Sequence, residues 1–198
     1  MQMNKIFLLF LIFLLFGIFT FSYAAENAAN NGGQSSATPK ALVVYFSCTG
    51  VTEDLAKYAA SALNADLYRI TPQEPYSEAD LNYRDKNSRS SIEMNDPSSR
   101  PTIGGAKANI AQYDVIFLGY PIWWGQAPHI INTFLESDDF SGKIIAPFCT
   151  SGSSGVGSSD SNLHKFAPNA KWLSGAKISS NDAMKNWINN LGISLTVN

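Results

Sequence analysis

The sequence predicts a doubly wound α/β domain built on a five-stranded parallel sheet. Three observations lead there. Short β-rich apolar runs recur along the chain, segments with apolar residues at helical spacing alternate with them, and Asp114 to Gly119 (DVIFLG) reads as a strand covered on both faces. Strands that alternate with helices pair in parallel, because each crossover needs a connecting segment and closes right-handed.

The first element of the chain precedes the fold. Residues 1–24 read as an export signal peptide, with Lys5, an apolar stretch from Ile6 to Phe21, and Ser22-Tyr23-Ala24 before a cleavage site at Ala25. The stretch is 16 residues long and contains Gly17 and Thr20, short of the roughly 20 that a membrane span needs. Retention as an N-terminal membrane anchor is the alternative; no Cys follows the stretch to accept a lipid. The expected location is outside the cytoplasmic membrane, periplasmic or extracellular. Residues 25–39 (AENAANNGGQSSATP) are small and polar and are expected to be a disordered linker, so the folded domain spans 40–198.

Of the 198 residues, 174 follow the leader, a length that suits one domain. They carry 13 basic and 16 acidic side chains, a net charge of −3, with no two Lys or Arg adjacent. Nucleic acid has no electrostatic footprint here.

Ala41 to Phe46 (ALVVYF) is the first strand, and Val51, Leu55, Ala56, Tyr58, Ala59 and Leu63 then repeat at helical spacing. Ala65 to Ile70 is the second strand, followed by about thirty polar residues through Pro101 that predict no regular element. Asp114 to Gly119 is the third, and Ala127 to Leu135 a helix. Lys143 to Phe148 is the fourth, with a helix from about Ser159 to Phe166. A fifth strand lies within Lys171 to Ile178, and a helix over Asp182 to Leu191 closes the chain.

In such sheets ligands bind beyond the carboxyl ends of the strands. The loop after the first strand, Ser47, Cys48, Thr49, Gly50, Val51 and Thr52, is small or hydroxylated at four of six positions and leads straight into a helix. Hydroxyls and unpaired helix N–H groups make an anion site there; the plainer reading is an N-cap made by Thr49 or Thr52. It is no Walker loop, since no Gly-Lys pair follows. The loop after the third strand, Tyr120, Pro121, Ile122, Trp123, Trp124 and Gly125, holds two adjacent Trp on a rigid turn, a surface suited to stacking on a ring system, although one of them can belong to the core. The loop after the fourth strand, Thr150 to Ser159 (TSGSSGVGSS), has nine Ser, Thr or Gly among ten residues and offers backbone donors with little bulk; a plain flexible connection is the alternative.

SCTGVT after the first strand, FLGYPIWWGQAPHIINTFLE at the third and PFCTSGSSGVG at the fourth together closely resemble the flavodoxin family, in particular its exported branch, from about Leu42 to Leu191. The resemblance implies the strand order 2-1-3-4-5 and FMN as cofactor. It further implies that Ser47 to Thr52 surround the 5′-phosphate, that Pro121, Ile122, Trp123 and Trp124 flank the isoalloxazine, and that Thr150, Ser151, Gly152, Ser153, Ser154 and Gly155 meet its pyrimidine edge. Three features depart from the family's electron carriers: Val51 stands where related loops carry Asn, the third loop has no aromatic, and the strongly acidic surface is missing.

The polar stretch from Pro72 to Pro101, with Tyr76, Tyr83, Arg84, Asn87, Arg89 and Arg100, is long enough to be a lid or binding loop; surface decoration is the alternative. His129 and His164 lie on separate helices with no second metal ligand near either. A Cys-x5-Arg phosphatase loop would need Arg where Asp54 follows Cys48 and Gly155 follows Cys149, and no GxSxG elbow occurs. The expected protein is an exported FMN flavoprotein acting in electron transfer or in flavin-dependent reduction of a small planar acceptor such as a quinone, with no catalytic side chain required. The rival expectation is a non-enzymatic module that sequesters or delivers FMN.

Overall fold

The computed structural model describes residues 38–193, so the predicted signal peptide and nearly all of the predicted linker lie outside the described residues. β1 (Ala41–Tyr45) leads into α1 (Val51–Leu63) and β2 (Asp66–Arg69). A long connection then carries β3 (Thr71–Pro72), α2 (Arg89–Asn95) and β4 (Ile103–Gly104) before β5 (Val115–Pro121) and α3 (His129–Glu136). β6 (Ile144–Thr150), a 3-10 helix (Ser161–Phe166), β7 (Lys171–Trp172), β8 (Ala176–Lys177) and α4 (Asn181–Asn190) complete the domain.

The main sheet runs β2-β1-β5-β6-β7, with β8 also beside β6, and every pairing is parallel. Taken by strand position this is the 2-1-3-4-5 order. The period-two alternation of the strands divides the core between the two faces. Leu42, Val44, Phe46, Ile116, Leu118 and Ile145 pack under α3, with Ile130, Ile131, Phe134 and Leu135 above them. Val43, Tyr45, Val115, Phe117 and Phe148 face α1 and α4.

The fifth strand is broken in two, for a reason visible in β6. Ile145 pairs with Trp172 and Phe148 with Ala176, so three steps on β6 face four on its neighbour, the signature of a bulge. Leu173 and Ile178 donate to the carbonyls of Ile145 and Cys149, so the odd residues of β6 turn their backbone to this edge. Pro147 belongs to that set and has no N–H to give, and the ladder opens around it. Within the opening, Gly175 N–H donates to Asp160 Oδ2 at 2.8 Å.

Two further elements differ from the sequence reading. Ser161–Phe166 is a 3-10 helix, shorter than the helix expected from Ser159; Asp160 caps it through Ser161 N at 2.8 Å, and Pro168 follows its end. The stretch from Pro72 to Pro101, read as lacking regular structure, contains α2, while Thr71–Pro72 pairs antiparallel with Ile103–Gly104. Only Ser90 and Ser91 of α2 are buried and Ile92 is 57 % exposed, so no apolar periodicity announced it.

Gly119 lies where β5 crosses the ring of Phe148, and any Cβ there would fall inside van der Waals contact with three ring carbons. Phe148 in turn packs on Trp187 of α4 at 5.8 Å. Gly119→Ala is therefore expected to destabilise the fold by about 1–3 kcal/mol through overpacking, as read from urea midpoints at unchanged slope.

Candidate functional site

The site is built at the carboxyl ends of β1, β5 and β6. β1 ends at Tyr45, and the chain turns through Ser47 into α1, whose N-cap is Gly50 at φ +90°. That left-handed value favours glycine and sets the helix axis immediately behind the turn. No side chain caps α1, so the Thr49 or Thr52 cap weighed in the sequence is not formed. The first intrahelical bond runs from Asp54 N to Gly50 O at 2.9 Å, which leaves the first-turn N–H groups pointing out of the helix end as an anion site requires. Ser47 Oγ accepts from Gly50 N at 3.1 Å, so its own proton remains available.

Arg69, at the end of β2, stands behind this loop, and sequence reasoning missed it. Its guanidinium donates to Ser47 O at 3.3 Å and lies 3.5 Å from Glu53 Oε2. Glu53, in the first turn of α1, would oppose an anion; Lys57 at 2.6 Å and Arg69 hold its carboxyl below the ordinary range. The signal was positional: Arg69 closes the strand beside β1.

The three loops are joined by two hydrogen bonds. Thr52 Oγ1 and Thr150 Oγ1 lie 2.8 Å apart and are both buried, and Ile122 N donates to Thr150 O at 2.9 Å. A hydroxyl pair uses one of its two protons, so one is left for a third acceptor. Ser151 Oγ accepts from Ser154 N at 3.0 Å and bends the third loop. Gly152, Ser153, Ser154 and Gly155 are exposed, and a Cβ at either glycine would meet open space.

The two tryptophans separate. Trp123 packs inward, edge-on to Phe46 at 5.6 Å and to Tyr76 at 5.4 Å. Trp124 is 43 % exposed and sits at φ +48°, followed by Gly125 at φ +75°. Trp123 and Gln126 exchange both backbone hydrogen bonds at 2.9 Å, so Trp124 and Gly125 are the central pair of a two-residue hairpin of the kind that needs two positive φ values. Asn or Asp normally precedes the glycine of such a turn. A bulky aromatic there is strained, and strain of this kind gathers at binding sites.

The long connection closes the other side. Tyr76 donates its hydroxyl to Glu93, Arg89 lies over the Tyr76 ring at 4.0 Å and pairs with Glu93 at 2.7 Å, and Arg89 also donates to Glu74 O at 2.8 Å. Burial, and then the Glu93 carboxylate, push the Tyr76 hydroxyl well above its ordinary range. This network fixes the connection against Trp123. Leu81, Tyr83 and Ser90 of the connection then face Ile122, Trp123 and Trp124 across a cavity of about 290 Å³.

Cys48 packs its side chain partly into the core, and Cys149 is buried in β6; both are free thiols, with β5 between their strands. Burial pushes each thiol up to about 11. Cys48 therefore offers a ligand its backbone and not a thiolate. Alkylation by iodoacetamide is expected to stay slow through pH 8 and to accelerate toward pH 11, with both thiols released in denaturant. Rapid labelling of the native protein at pH 7 would contradict this environment.

An uncapped helix end with free hydroxyls, a strained exposed aromatic and a sparse Ser/Gly loop fit a phosphate-bearing planar cofactor. A model of the family described as Flavodoxin matches residues 40–191. A comparison with curated proteins finds no match. Among solved structures, a flavoprotein candidate from Bacteroides eggerthii DSM 20697 is 46 % identical, with a TM-score of 0.74 over 78 % of this chain and 99 % of that one. One from Bacteroides uniformis ATCC 8492 is 44 % identical, with a TM-score of 0.74 over 78 % and 100 %. A flavoprotein in complex with FMN from Lactobacillus acidophilus NCFM, 22 % identical, shares the fold with a TM-score of 0.58 over 76 % and 99 %. The order of the strands, the three loops gathered at their carboxyl ends and the match over 40–191 place this chain in the flavodoxin family.

Proposed function

We propose that the protein is an exported FMN flavoprotein that passes electrons to a small planar acceptor such as a quinone. FMN suits the donor set: the first-turn N–H groups of α1 with Ser47, Thr49 and Thr52 for its phosphate, Trp124 beside its ring, and the Thr150 to Gly155 loop at its polar edge. Bound there, the flavin supplies the redox chemistry, while the protein binds and orients it. Export is supported by the leader pattern at residues 1–24, with membrane attachment the outcome where the leader is retained.

The observation that carries reduction of an acceptor, over electron carriage alone, is the cavity between Trp124 and Tyr83. Tyr83 is 67 % exposed, its hydroxyl makes no hydrogen bond among the described residues, and the third loop holds no aromatic to cover a ring. It is held only loosely, as a movable cover would be.

The visible spectrum of the purified protein with added FMN tests cofactor binding, and absence of flavin absorption removes the proposal. Chemically reduced protein mixed with a soluble quinone then tests the acceptor. Tyr83→Ala is expected to accelerate that oxidation severalfold and to loosen FMN. Slow oxidation in both forms points instead to a module that sequesters or delivers FMN.

A further inference from the structure

On the far side of the Trp123–Gln126 hairpin lies a second cavity, about 300 Å³, which the flavin reading does not use. α2 connects the two: Ser90 faces the first cavity and Met94 the second. The floor of the second is unusual for a helix that otherwise faces the core. Ile130, Ile131, Phe134 and Leu135 of α3 are apolar and buried, yet Asn132 among them is also buried, only 6 % exposed. Asn132 lines the cavity, and its amide makes no hydrogen bond among the described residues. Asn is a poor helix former and its neighbours on this face are apolar, so a core with nothing to bind would place Leu here.

Two further observations give the missing partner its chemistry. Lys165 is the one charged side chain of the lining, which contains no Asp or Glu, and it has no ion-pair partner among the described residues. Its ammonium stands over the Phe166 ring at 4.8 Å, and Phe166 with Met94 and Leu163 supplies an apolar wall. Along the lining, Asn162 Nδ2 donates to Gln126 Oε1 at 2.6 Å, which ties the 3-10 helix to the base of the hairpin.

We propose that this cavity binds a small organic carboxylate with a compact apolar body, its oxygens taken by the Asn132 amide and the Lys165 ammonium and its body laid against Phe166 and Met94. Because the hairpin separates it from the flavin cavity, the site accepts its ligand whether or not FMN is bound. It stands independently of the acceptor reading.

Benzoate serves as the probe, titrated into the full chain with and without FMN and followed by calorimetry and by chemical shifts. Saturable binding is expected in both forms, weakened at least fivefold by Lys165→Gln and by Asn132→Leu, with neutral benzamide at least fivefold weaker than benzoate. Asn132→Leu should also raise the melting temperature of the ligand-free protein, because Leu is the better helix former and suits the apolar buried face of α3; a structural role for Asn132 would lower it. No saturable benzoate binding, binding unchanged by both substitutions, or displacement of benzoate by FMN would each overturn the proposal. Failure of FMN to bind would leave these results readable.

Discussion

FMN is expected to bind roughly 10²- to 10⁴-fold more tightly than riboflavin, because two charge-assisted contacts to the phosphate contribute about 1.5–3 kcal/mol each. The contacts come from the open end of α1 and from the hydroxyls of Ser47, Thr49 and Thr52, with Arg69 adding positive charge behind the loop. Ser47→Ala and Thr49→Ala should each weaken FMN about tenfold and leave riboflavin unchanged. The preference should also shrink below about pH 6, where the phosphate dianion takes up a proton and loses half its charge. Calorimetry showing equal affinities for the two flavins would remove the phosphate assignment.

Much of this was legible before any coordinates, and the boundary of legibility is physical. β1, β5 and β6 announce themselves because strands buried on both faces must be apolar at every position, as VIFLG in β5 is. The loops stood out because each interrupts such a run with residues a core would reject. α2 gave no signal: its one structured face is two serines, and Ser88 caps it by accepting from Ser91 N at 3.3 Å without the Glu or Gln that completes a recognisable capping box. Its place is set by the Tyr76, Arg89 and Glu93 network, contacts between residues up to 17 positions apart. Arg69 escaped for a related reason. A strand-end arginine is ordinary until the strand order puts it beside Ser47, and only the paired sheet supplies that order. The break in the fifth strand was encoded by Pro147, but its effect falls on the neighbouring strand, at residues 173–175, 26 to 28 positions away.

Trp124→Asn is expected to move stability and cofactor affinity in opposite directions. At φ +48° the indole sits where side chains with bulk are strained, at a cost of about 1–3 kcal/mol. The substitution creates the Asn-Gly pair that a two-residue hairpin prefers, and the side chain removed is 43 % exposed, so little core burial is lost. The ligand-free protein should therefore melt higher by a few degrees, about 2–4 °C per kcal/mol for a domain of this size. FMN should bind less tightly, since an aromatic platform contributes about 1–3 kcal/mol to stacking on a planar ring, or roughly 5- to 150-fold. Trp123→Phe provides the contrast. That side chain packs on Phe46 and Tyr76, so trimming it should lower stability by about 1–3 kcal/mol through the cavity it leaves, with a smaller loss of affinity. A tryptophan that merely decorated the surface would give an unchanged FMN affinity on substitution. One that helped to fold the turn would give a lower melting temperature. Only a residue held in strain for the ligand gives the higher melting temperature together with the weaker complex.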